Sequence, residues 1–70
     1  MAQVTLKVNG MSCNHCVNAV ETSVGKLNGV REVTVRLNEG LVDIEFEDGA
    51  VNVEQLIETI EDQGYDVVRS

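Results

Sequence analysis

From Gln3 to Val8 apolar and polar residues alternate, with Val4, Leu6 and Val8 on one side and Thr5 and Lys7 on the other. A period of two is that of a strand with one covered face, and Asn9-Gly10 closes it. The period then lengthens. Val17, Val20, Val24 and Leu27 step by three and four, which predicts a helix from about His15 to Lys26, stopped by Asn28-Gly29. Alternation returns with Val33, Val35 and Leu37 as the inner face of one strand and Val42, Ile44 and Phe46 as that of the next. Between them Asn38-Glu39-Gly40 suits a short hairpin loop with Gly40 at positive φ. Asn52 followed by Gln55 reads as a capping box, and Val53, Leu56, Ile57 and Ile60 form the buried stripe of a second helix. Gly64 ends that helix, and Tyr65-Asp66-Val67-Val68 is long enough for a last short strand.

The order β-α-β-β-α-β predicts an α+β fold of the ferredoxin-like kind, a four-stranded antiparallel sheet with both helices on one face. Residues 1–70 then form a single domain, with no proline and no linker to divide it. Thr5, Lys7, Thr34, Arg36, Asp43, Glu45 and Glu47 fall on the opposite face, where water accepts them. Such a fold hosts many functions and does not choose among them. It does exclude base stacking on the sheet. The only aromatic residues are Phe46 and Tyr65, and Phe46 belongs to the inner face.

Charge narrows the partners. Twelve acidic against five basic residues give a net charge of -7, which opposes phosphate backbones and excludes nucleic acid. A protein partner with a basic patch is compatible, and so is surplus acid that simply keeps a small protein soluble. Neither a membrane span nor an export leader is evident, so membrane insertion is not expected and a cytosolic location is. Two cysteines in such a chain point to metal or redox chemistry rather than to a disulfide scaffold.

Both cysteines and the only histidine lie in "GMSCNHCVNAVE", Gly10 to Glu21. Cys13 is expected in the loop, Met11 to Asn14, that leaves the first strand, and Cys16 enters the first helix, so their sulfurs can converge across the turn. Backbone amides and the positive end of the helix dipole favour thiolate there. Two thiolates and one imidazole are too few for structural zinc, and two cysteines too few for the usual iron–sulfur clusters. Hard ions require oxygen clusters at loop spacings, which the acidic residues do not have. Cu(I) is soft and thiolate-loving, and two sulfurs in near-linear arrangement satisfy it, with silver or mercury as chemical mimics. A thiol–disulfide redox protein can use the same C-x-x-C at a helix start and stands as the alternative. Against it stand the absence of proline, which such sites generally use in cis form, and the short chain.

"GMSCNHC" resembles the G-M-x-C-x-x-C signature of heavy-metal-associated domains, and the likeness extends over the whole chain through element order, length and the Gly-Tyr of "IEDQGYDVV". Within that family the chain most resembles the small bacterial copper chaperones. The resemblance implies that Cys13 and Cys16 hold Cu(I) in the cytosol and pass it to the metal-binding domains of copper-transporting P-type ATPases, without catalysis. A copper-responsive regulator and a second copy joined through copper are further expected partners. An excised domain of the ATPase itself would look similar; the start at Met1 and the finish just past the last strand lean against it. Zinc-selecting relatives often carry an acidic residue before the first cysteine, whereas Ser12 stands there in this chain and favours copper.

The neighbours of the pair have narrower roles. Gly10 permits a tight exit from the strand. Met11 is expected to turn inward and pin the loop rather than ligate. His15 lies between the cysteines at a helix position that faces outward; it is a plain exposed histidine, or tunes the thiolates or meets a second copy. Tyr65 opens the last strand, and by resemblance lies near the copper loop, where its ring shields the sulfurs. A half-buried structural tyrosine is the alternative role.

Overall fold

A computed structural model of the chain describes residues 2–11 and 14–68, with the backbone alone at Asn14. Strand β1 (Ala2–Asn9) is followed by helix α1 (Asn14–Gly25), strands β2 (Val30–Arg36) and β3 (Leu41–Phe46), helix α2 (Val53–Asp62) and strand β4 (Asp66–Val68). The strands form one antiparallel sheet in the order β2-β3-β1-β4. This is the ferredoxin-like arrangement that the alternation predicts.

Register explains why the inner face is apolar throughout. Val4 lies opposite Ile44 and Leu6 opposite Val42; on the other side of β3, Val33 lies opposite Ile44 and Val35 opposite Val42. A slip of one residue would turn every one of these side chains to water. Val20 and Val24 of α1 and Leu56 and Ile60 of α2 close over this face and are fully buried, as are Val42 and Ile44. Helix α2 starts as the sequence indicates: the Gln55 amide donates to Asn52 Oδ1 at 2.9 Å, and the Asn52 amide donates to Gln55 Oε1 at 3.0 Å. Gly40 takes φ +68. No helix among the described residues is long and apolar enough to cross a membrane.

Several boundaries differ from the alternation alone. Leu37 does not extend β2, because Arg36 and Leu41 are the last opposed pair and Leu37–Gly40 forms the turn, with Gly40 N–H donating to Leu37 O. Tyr65 precedes β4 instead of opening it, since the ladder with β1 ends at Asn9 opposite Asp66. Gly10, next in register, has φ +99 and has left the extended conformation that pairing requires. At the far end of the hairpin the register shifts between Val30 and Glu32, so Arg31 is an extra residue on β2. Bulges twist an edge strand and blunt its pairing with other chains. Finally, Asp43 lies on the outer face yet its side chain is only 13% exposed. Thr5 Oγ1–H donates to its Oδ1 at 2.6 Å, and Arg36 Nε–H reaches Oδ2 at 2.8 Å, so the carboxylate ties β1, β3 and β2 together.

Candidate metal site

Three segments meet at the end of the sheet where β1 finishes. The first is Gly10-Met11, leading from β1 toward α1. The second is the Leu37–Gly40 turn, held there by Val8 N–H donating to Gly40 O at 2.8 Å. The third is Gly64-Tyr65, placed by the pairing of Asn9 with Asp66. The second neighbour has no mark in the alternation of any one strand. Its signal lies in the antiparallel register of β1 and β3, which single-strand alternation does not give.

Gly10 stands at the hinge between strand and loop. At φ +99 an L side chain is strained, and a Cβ there would meet Tyr65 Cδ1 at 3.4 Å. The Tyr65 ring therefore lies against the backbone at the start of the loop. It is half-buried and packs on the core cluster. Met11 is also half-buried and packs on that cluster, which is the inward, pinning position expected of it. With one apolar anchor just before the cysteine turn and the ring of Tyr65 beside Gly10, the strand exit is held at both points.

Helix α1 begins at Asn14, so His15 and Cys16 both lie in its first turn. Cys16 is half-buried. Its neighbours one turn on, Val20, and two turns on, Val24, are the residues of α1 that seal the core, so the helix is fixed in rotation by its own packing. That fixes the backbone of Cys16 with it. His15 is exposed and borders, with Asn18, Ala19, Thr22 and Gln63, a shallow open depression along α1 that reaches the C-cap of α2. The first turn contains no acidic residue. Ser12 and Cys13 lie outside the described residues, so the sulfur-to-sulfur separation is not part of this geometry. The structure thus brings Gly10, Met11, His15, Cys16 and Tyr65 to one end of the molecule, or to the elements leading to it.

The first turn of α1 carries Cys16, a soft-ligand side chain, at a helix start. Amides of a first helical turn have no carbonyl partners within the helix and stabilise negative charge. A helix N-terminus favours the thiolate of a cysteine placed there, and the thiolate is the form that binds metal.

Residues 5–66 match the model of the heavy-metal-associated domain. The chain belongs to the heavy-metal-associated domain family. Its relatives include proteins named as copper chaperones and domains of P-type ATPases. One is the copper chaperone CopZ of Bacillus subtilis (strain 168), 56% identical over 69 residues, covering 99% of this chain and all of that protein. Among solved structures, a CopZ metallochaperone superposes with a TM-score of 0.94 at 46% identity, covering 96% of this chain and all of the other. A copper-binding domain from HMA7, a P-type ATPase, superposes equally well, with a TM-score of 0.94 at 34% identity over 97% of this chain and 92% of that one. Chaperone and transporter domain therefore share one heavy-metal-associated fold.

Proposed function

We propose that this protein is a cytosolic copper(I) chaperone, a single domain over residues 1–70 that binds Cu(I) through the thiolates of Cys13 and Cys16 and has no catalytic activity of its own. The observation that carries the reading is the conjunction of the C-x-x-C at the start of α1 with 56% identity to a copper chaperone along that protein's whole length. Gly10, Met11 and Tyr65 support the loop from the sheet side, Ser12 leaves out the carboxylate of zinc-selecting relatives, and His15 tunes the pair without ligating in the monomer.

The recipient is a metal-binding domain of a copper-transporting P-type ATPase. The likeness to the HMA7 domain supports this, because donor and acceptor of the same fold and ligand type can exchange metal with little difference in binding energy. A copper-responsive regulator with accessible thiolates would draw on the same store. Transfer proceeds by ligand substitution. An incoming thiol gives up its proton and its thiolate adds to two-coordinate copper; the three-coordinate species then releases one chaperone thiolate, which takes up a proton. Copper remains Cu(I) throughout, and it is never free.

Cys13 is the thiolate that leaves first. In the sequence it precedes Asn14, the first residue of α1, whereas Cys16 is held by the hydrogen bonds of that helix, which Val20 and Val24 pack into the core. The test is to trap the copper-bridged heterodimer with a C-x-x-C partner domain by gel filtration. Cys13→Ser should still form the mixed complex, while Cys16→Ser should lose its metal to buffer thiols. Equal trapping by both, or better trapping by Cys16→Ser, reverses the order. Failure of copper to join wild-type chaperone and any such domain rejects the transfer function.

A further inference from the structure

We draw no further inference here: the strongest candidate, the open groove between the N-terminal half of β1 and the first turns of α2, lined by Val4, Leu6, Val53, Ile57 and Val68, carries nothing because nothing in the structure shows what covers it.

Discussion

At the start of α2, Asn52 and Gln55 fill each other's backbone hydrogen bonds, and Glu54 adds a carboxylate to the first turn. At the start of α1 the corresponding turn reads Asn14-His15-Cys16-Val17, with no acidic residue and with a half-buried cysteine. Both helices present the same amides and the same positive dipole end. In α2 the chain's own polar side chains satisfy them, and the gain appears as folding stability. In α1, on the proposed reading, negative charge is left to the thiolates and to the copper they carry. A Cu(I) bis-thiolate bears a net charge of minus one, so the loaded centre is as well matched to the dipole as a capping carboxylate. Equivalent local physics serves structure at one helix start and cargo at the other.

That contrast can be broken most forcefully through the core that both helices share. Leu56 is fully buried beneath α2. Leu56→Ala should cost about 2–5 kcal/mol of unfolding free energy, a large share of the stability of so small a domain. If the functional end depends only on the first turn of α1, copper stoichiometry at a temperature where the variant remains folded should not change. Denaturant unfolding beside a copper titration checks both halves. A variant that folds but cannot load copper would mean that the core beneath α2 positions the site as well.

The cap of α2 should show a smaller effect of the same kind. Asn52→Ala removes the acceptor for the Gln55 amide and should destabilise by about 1 kcal/mol, again without affecting copper. Chemical denaturation gives the number; a shift in copper affinity with this variant would contradict the separation of roles.

On the outer face of the sheet, Thr5→Val deletes the hydrogen bond to Asp43 while keeping the β-branched shape. The ion pair with Arg36 remains, so the expected loss is about 1 kcal/mol or less. Measured by thermal unfolding, a much larger loss would show that the Thr5–Asp43–Arg36 chain acts as a unit.

Smallest should be the effect of His15. Its side chain is exposed, and His15→Ala should alter stability by no more than about 0.5 kcal/mol. On the proposed two-thiolate centre, its copper affinity as a monomer should change only slightly. Loss of copper binding by this variant, read by chelator competition, would make the imidazole a ligand and overturn the two-sulfur centre.

Much of this architecture is legible in the bare sequence because the two periods are unmixed. Val4-Leu6-Val8 and Val42-Ile44-Phe46 alternate strictly, and Leu56, Ile57 and Ile60 follow a helical step, so strand and helix hardly compete for these residues. The α2 cap is equally plain, since its spacing is its mechanism. What alternation misses is set by pairing between strands. Leu37 continues the apolar alternation of β2, but the hairpin closes at Arg36 and Leu41 and leaves it in the turn. Tyr65 continues the pattern of β4, but its register partner Gly10 has already turned away. The bulge at Arg31 has no local mark at all, being a mismatch in length between two strands. At the candidate site the sequence names the residues and the fold adds their neighbours: the contact of Tyr65 with Gly10 and the nearness of the Leu37–Gly40 turn both follow from sheet register.

The central claim is that the start of α1 binds one Cu(I) per monomer through Cys13 and Cys16. It is tested most directly by anaerobic competition between the protein and a chromophoric Cu(I) chelator, run on the wild type, on Cys13→Ser/Cys16→Ser and on Asn52→Ala. The account predicts one equivalent of tightly held copper for the wild type and for the α2 cap variant. The folded double serine variant should hold none. Undiminished copper binding by that variant would place the metal elsewhere and contradict the account.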